Sequence, residues 1–380
     1  NTINFKWNPP NSIYMIQQMK KNKFIHTCWF QKMNTKYLKF CYVLITWLLP
    51  LAIANSYHLK QIPAIYVFGD SLVDSGNNNY LPIKSNAKFL PYGIDFGAKP
   101  TGRYSNGKTL VDYLAIHLGL PLVPPYLGLL KTQKNKITTG INFASAGSGI
   151  LPETNNNTLT LDKQIKLLRK VIKNNLPNIF DEKEKLEKHL SESLFVVSTG
   201  VNDHFHNGFF GGSSKFASYL LKQFSIRLQK IYSLGGRRFF INNIAPAGCF
   251  PSIVARSRPR GECNEKMNKA ISSYNKLLPN ALGKLQAKLG GFTFIHSNLY
   301  GSLMDLKENG YKYGILETWK PCCPSNVYGD IRCHAYNVTC PNRNTYVFFD
   351  DHPSQISNQI YATHCFKEKT ICKSSPSEFL

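Results

Sequence analysis

Five short apolar runs punctuate the chain, at residues 62–68, 139–144, 194–199, 238–244 and 292–297. They show little of the alternation expected of a strand with one wet face, so they read as strands buried on both faces. Helical periodicity falls between them. Residues 108–118 follow the first run. Residues 161–172 place Leu161, Ile165, Leu168 and Ile172 on one face. Phe216, Leu220, Phe224, Leu228 and Ile231 repeat the pattern, with Ser213-Ser214 before them and Gly235-Gly236 after as cap signals. Residues 264–289 align Met267, Ile271, Tyr274, Leu278 and Leu282, and Pro279 is expected to kink that helix. A last helix is expected over 354–366. Strands alternating with helices in this way predict a doubly wound parallel sheet between two helical layers.

The N-terminal part departs from this pattern. Lys36 and Lys39 precede an apolar run over 40–53 that ends in Ala52-Ile53-Ala54. That is the charged, apolar and small-residue order of a secretory leader, here 33–54, and the run is too short for a good membrane span. Residues 1–32 have no hydrophobic pattern and read as an upstream, non-structural segment. Residues 55–380 then form a single domain.

Ten cysteines are present, and eight of them, Cys249, Cys263, Cys322, Cys323, Cys333, Cys340, Cys365 and Cys372, lie from residue 249 onward. An even number behind a leader predicts disulfides with the pairing left open, and no C-x-x-C pair suggests zinc. Residues 322–340 read as a disulfide-tied loop inserted before the final helix. Sequons at Asn156 and Asn337 are candidate glycosylation sites, which suits an extracellular protein. The net charge is +24, and residues 1–54 contribute seven lysines and no acid, leaving +17 on the remainder. The charge is scattered, with no long basic run or aromatic-basic stripe. It argues against nucleic acid and for a solvated basic surface or one that meets an acidic cell-wall polysaccharide.

Candidate chemistry lies at the ends of the predicted strands. The first runs into Phe68-Gly69-Asp70-Ser71-Leu72-Val73-Asp74-Ser75-Gly76-Asn77. A hydroxyl just beyond a buried strand is held rigidly at the edge where α/β folds place their chemistry. The second leads into Asn142-Phe143-Ala144-Ser145-Ala146-Gly147, the third into Gly200-Val201-Asn202-Asp203, and the final helix is preceded by Phe349-Asp350-Asp351-His352-Pro353-Ser354. Each of these has an ordinary reading as a turn or a cap. Together they hold a nucleophile, a base, a carboxylate to orient the base, and oxyanion donors.

With Pro91-Tyr92-Gly93-Ile94-Asp95-Phe96, Pro100-Thr101-Gly102-Arg103-Tyr104-Ser105-Asn106-Gly107, Ala245-Pro246-Ala247-Gly248-Cys249 and Cys322-Cys323, these segments make the chain resemble a plant-type GDSL esterase/lipase of the SGNH hydrolase superfamily over about residues 60–372. The resemblance implies a flavodoxin-like three-layer α/β/α fold on a five-stranded parallel sheet. It also implies hydrolysis of an acyl or acetyl ester, in a small molecule, lipid or polysaccharide, through an acyl-serine without cofactor or metal. Ser71 would be the nucleophile, His352 the base, and the backbone N–H groups of Ser71 and Gly147 with the Asn202 side chain the oxyanion hole. The family sets its acid three residues before the histidine, where this chain has Phe349. Asp350 serves if the segment is extended or absorbs the offset locally, and Asp351 is the poorer candidate. If neither serves, a catalytically impaired ester-, glycan- or protein-binding relative results. An acyltransferase would use the same residues as an esterase.

Three other signals were weighed. Gly102-Arg103-Tyr104-Ser105-Asn106-Gly107-Lys108-Thr109 fits the phosphate-loop pattern but lacks the buried strand it needs immediately before it. His204 and His206 have no third metal ligand at convincing spacing. Tyr80, Tyr92, Phe96, Phe209 and Phe210 are either acyl-pocket walls or plain core.

Overall fold

The expected strands form where the chain can bury both faces of its backbone. In the computed structural model, which describes residues 62–206, 214–257, 259, 261–324 and 333–375, they are β1 (Ile65–Gly69), β2 (Gly140–Asn142), β3 (Leu194–Ser198), β4 (Arg238–Asn242) and β5 (Thr293–Ser297). The leader and the segment before it lie outside the described residues. Every residue of β1, β2 and β3 is buried. Tyr66, Phe195, Phe239 and Phe292 stack in succession at centroid separations of 5.3, 5.8 and 4.6 Å, making an aromatic ladder across β1, β3 and β4.

The sheet has six strands in the order β2-β1-β3-β4-β5-β8, all parallel except β8 (Cys372–Ser375), which runs antiparallel to β5. The five-stranded expectation is therefore one strand short. The extra strand, Cys-Lys-Ser-Ser, has no apolar run to betray it. It sits at an edge and is tied back by the Cys365–Cys372 disulfide. A separate parallel pair, β6 (Glu317–Pro321) with β7 (Tyr346–Phe348), was also not foreseen.

Helices flank the sheet in two groups. Those of six residues or more are, in chain order, α1 (Leu110–His117), α2 (Leu161–Asn174), α3 (Lys183–Glu192), α4 (Val201–His206), α5 (Ser214–Ser233), α6 (Glu265–Lys288), α7 (Leu299–Asn309) and α8 (Gln355–Ala362). One group packs α5 against α2 and α6, and the other packs α8 against α1 and α7. The result is a three-layer α/β/α arrangement. Caps set several helix starts. Thr160, Asn264 and Ser354 each accept a backbone N–H three residues on through their side chains. Helix α6 continues through Pro279.

From β1 the chain places β2 on one side and then crosses to place β3 on the other. The loops that leave the C-terminal ends of β1 and β3 therefore diverge, which opens a crevice between them. Ser71 lies two residues past β1 and Asn202 four past β3.

Candidate active site

Buried polar side chains hold the loop that carries Ser71. A Cβ on Gly69 would lie 2.0 Å from Ser198 O, so only glycine allows β1 to run this close to β3. Gln164 brackets that glycine. Its Oε1 accepts Gly69 N–H and its Nε2 donates to Gly69 O, both at 2.9 Å. Asp74 Oδ1 accepts the N–H groups of Gly76 and Asn77 at 2.7 Å, and its Oδ2 accepts that of Ala146 at 3.1 Å. Asn77 Nδ2 donates to Asn142 O and Ala144 O, and Asn78 Nδ2 to Ala146 O. These bonds join the loop after β1 to the loop after β2, which carries Gly147. The turn-like letters of this segment conceal a buried scaffold, since Asp74, Asn77 and Asn78 are all buried.

The start of α4 is fastened by Asp203, next in sequence to Asn202. Its buried carboxylate accepts Ile150 N–H at 2.8 Å, Leu151 N–H at 2.9 Å and the Thr154 hydroxyl at 2.7 Å. Asn202 Nδ2 donates to Ser148 O at 2.9 Å, leaving the second amide hydrogen available. Gly147 sits at φ +83°, and a Cβ there would stand 3.1 Å from Asn155 Nδ2. Neither Ser71 N–H nor Gly147 N–H donates to a backbone acceptor among the described residues.

The opposite wall is a sharp reversal. Phe348 and Pro353 form an antiparallel bridge, and Phe349 N–H donates to His352 O at 2.8 Å. Asp350 and Asp351 are the two residues at its tip. Asp350 Oδ1 folds back on the residue two ahead, accepting His352 N–H at 3.0 Å and lying 2.9 Å from His352 Nδ1. An aspartate that bonds the backbone two residues on is a common turn device. Here it brings the carboxylate to the imidazole at a spacing of two, in neither an extended nor a helical backbone. His352 Nε2 lies 2.8 Å from Ser71 Oγ. Asp351 points elsewhere, accepting Ser252 N–H at 2.7 Å. Phe349 is buried against Tyr92, Cys322 and Cys323. Tyr92 donates its hydroxyl to Asp350 Oδ2, and Tyr104 lies beside the His352 ring. Cys322 N–H and Cys323 N–H donate to Phe348 O and Phe349 O, so the disulfides Cys322–Cys340 and Cys323–Cys333 bear directly on the reversal.

The electrostatics follow from this packing. Burial opposes the charged form of His352, but Asp350 above all, with Asp351 and Asp70, outweighs it and lifts the imidazole above its ordinary value. Burial likewise opposes ionised Asp350, and the histidine and the Tyr92 hydroxyl reverse that, lowering its carboxyl below the usual range. Asp70 differs from Asp350. Burial raises it to about 7, Leu72 N–H bonds only its Oδ1, and Oδ2 is buried without a partner.

The remaining sequence signals resolve differently. The phosphate-loop pattern is a loop before α1 in which Arg103 makes a two-pronged ion pair with Asp112, both bonds at 2.7 Å. Asp112 in turn accepts Thr109 N–H at the start of α1, so the loop's charged groups are spent on its own structure. Phe96 lies under Arg103 and Lys108. Tyr80 is half exposed, and Tyr92 supports Asp350. His204 is buried against Phe216, with its pKa pushed down to about 4 by burial. The His206 side chain, Phe209 and Phe210 lie outside the described residues. Among the described residues no group of three His, Cys, Asp or Glu side chains is arranged to hold a metal. Asn156 is exposed, whereas Asn337 Nδ2 donates to Pro324 O at 2.7 Å. The pairings left open by the sequence are Cys249–Cys263, Cys322–Cys340, Cys323–Cys333 and Cys365–Cys372.

A serine, a histidine and an aspartate in hydrogen-bonded series, at the C-terminal edge of a sheet ordered 2-1-3-4-5, place the chain in the SGNH class of α/β/α hydrolases. Comparison narrows the class. Residues 65–363 match the family model described as GDSL-like Lipase/Acylhydrolase. Among similar proteins of Arabidopsis thaliana, GDSL esterase/lipase At2g04020 is 40% identical, covering 82% of this chain and 87% of its own. GDSL esterase/lipase 7 is 37% identical over 82% and 89%. GDSL esterase/lipase At5g08460 is 35% identical over 87% and 91%. The chain belongs to the GDSL lipase/acylhydrolase family and is a carboxylic ester hydrolase.

Proposed function

We propose that the protein is a secreted serine esterase that works through an acyl-Ser71 intermediate. His352 Nε2 takes the Ser71 hydroxyl proton as Oγ attacks the ester carbonyl, and the carbonyl electron pair becomes the oxyanion. Ser71 N–H, Gly147 N–H and the free Asn202 amide hydrogen stabilise that charge. The protonated imidazole, held by Asp350, gives its proton to the departing alkoxide. Water then repeats the sequence, with His352 as base, and releases the carboxylic acid. An alcohol in place of water would give acyl transfer by the same steps.

The observation that carries this reading is the series Ser71 Oγ–His352 Nε2–His352 Nδ1–Asp350 Oδ1, at 2.8 and 2.9 Å. It weighs against a catalytically impaired binding protein, because the histidine is oriented despite the shifted acid. Four disulfides fit an oxidising compartment, and exposed Asn156 suits a glycan there. No helix among the described residues is long and apolar enough to cross a membrane. The substrate class is an acyl or acetyl ester of a small molecule, lipid or polysaccharide.

Fluorophosphonate labelling of the full chain, produced with its disulfides, is the test. Wild type should be labelled and Ser71→Ala should not. An unlabelled wild type, or equal labelling of the two, overturns the mechanism.

A further inference from the structure

A pocket of about 680 Å³ lies apart from Ser71, between α6, the C-terminal part of β5 and the edge strand β8. Three strand spacings separate β5 from β1, roughly 14 Å across the sheet. The volume is in the range of small-ligand sites. None of the active-site residues lines it.

The wall has a definite chemical character. Lys276 on α6 and Lys373 on β8 bring two ammonium groups to it, and it contains no aspartate or glutamate. Neither lysine has a carboxylate partner among the described residues, unlike Arg103 and Arg227, which are paired with Asp112 and Asp162. Phe294, Pro279 and Ile371 supply apolar surface beside the charges. The amides that line the pocket are already engaged. Asn275 exchanges bonds with the Ile244 backbone, and Asn243 bonds Asn298 and Tyr300 N–H. They shape the wall, and the two lysines are its cationic residues. His296 is the register partner of Lys373 across β5 and β8. Burial first, then Lys373, hold its imidazole below the ordinary histidine range, and its Nε2 is buried without a partner. The pocket wall thus combines two lysines with a neutral imidazole and apolar surface.

We infer that this pocket is a second binding site, for an organic carboxylate whose anion is held by Lys276 and Lys373 and whose body rests on Phe294, Pro279 and Ile371. Two sources share this chemistry. A free aliphatic acid is the product class of ester hydrolysis, and a uronate is the acidic unit of a polysaccharide. A bare phosphate would use the charges and leave the apolar wall uncovered.

Titration calorimetry on the full-length Ser71→Ala protein tests this without turnover, so its result is independent of the acyl-serine mechanism. The probes are octanoate, galacturonate and inorganic phosphate. Saturable binding of octanoate or galacturonate is expected, and whichever binds more tightly identifies the source. The added double substitution Lys276→Ala/Lys373→Ala should weaken binding by about tenfold or more, since hydrogen bonds to charged groups are lost. Both lysines are exposed, so the urea midpoint should stay unchanged and report an intact fold. The inference is overturned if neither carboxylate saturates, if phosphate binds as tightly as both, or if the double variant binds as the parent does.

Discussion

The two halves of the proposed active site are held by different means. Ser71 and Gly147 stand on loops, and Asn202 in the first turn of α4, just past adjacent parallel strands, and buried side chains clamp these segments together. His352 stands outside the sheet, on a reversal fastened by one aspartate, one tyrosine hydroxyl and two disulfides packed against Phe349. The oxyanion side takes its precision from sheet geometry. The base side takes it from cross-links and from a side chain bonded to its own turn. This difference explains how the acid can sit one place nearer the histidine than the family pattern implies. A reversal whose aspartate bonds its own backbone absorbs such a shift locally.

The comparison is most exposed at Asp350. Replacing it with Asn keeps the size but removes the carboxylate that fixes the histidine tautomer, a change that costs about 10⁴ in kcat in serine hydrolases. Asp351→Asn should leave kcat close to wild type, because an amide oxygen can still accept Ser252 N–H. Steady-state rates on a chromogenic ester separate the two. If Asp351→Asn is the damaging change, the reversal does not work as described.

On the other side, Asn202→Ala removes one side-chain donor while Ser71 N–H and Gly147 N–H remain. The expected loss is about 10²–10³ in kcat, the usual range for one oxyanion donor. Fluorophosphonate labelling of Ser71 should persist, since His352 and Asp350 are untouched. A rate near wild type would mean that Asn202 serves only to hold Ser148 O.

What the sequence made legible follows the same division. The central strands could be read because burial on both faces leaves continuous apolar runs. Strand β8 could not, because a polar edge strand fixed by a disulfide carries no such signal. Helix α3 was hidden for a related reason, burying only His189 and Leu190 of its ten residues. At the site, Ser71, Gly147, Asn202 and His352 lie in recognisable segments after strands or before a helix. The sequence leaves Asp350 and Asp351 open because neither an extended nor a helical backbone describes a reversal bonded by its own side chain. The clamps formed by Gln164, Asp74, Asn77, Asn78 and Asp203 were illegible for a further reason. The same residue types fill solvated turns, and only the packed structure shows them buried.

Asp70 marks the cost of building the nucleophile side so tightly. Its carboxyl is buried, raised to about 7, and only Oδ1 is bonded. His352 favours its ionised form and Asp203 opposes it, with burial the largest influence. An acid whose pKa is higher folded than unfolded stabilises the fold below its unfolded value, and that contribution fades as pH rises through the folded one. Wild type should therefore lose about 1 kcal/mol more than Asp70→Asn between pH 6 and pH 8, close to the worth of one proton over one pH unit. The asparagine keeps an oxygen for Leu72 N–H and never ionises. Urea denaturation of both proteins at the two pH values measures the difference. Parallel declines would mean that Asp70 does not titrate in this window, and that the tight packing around Ser71 carries no such electrostatic penalty.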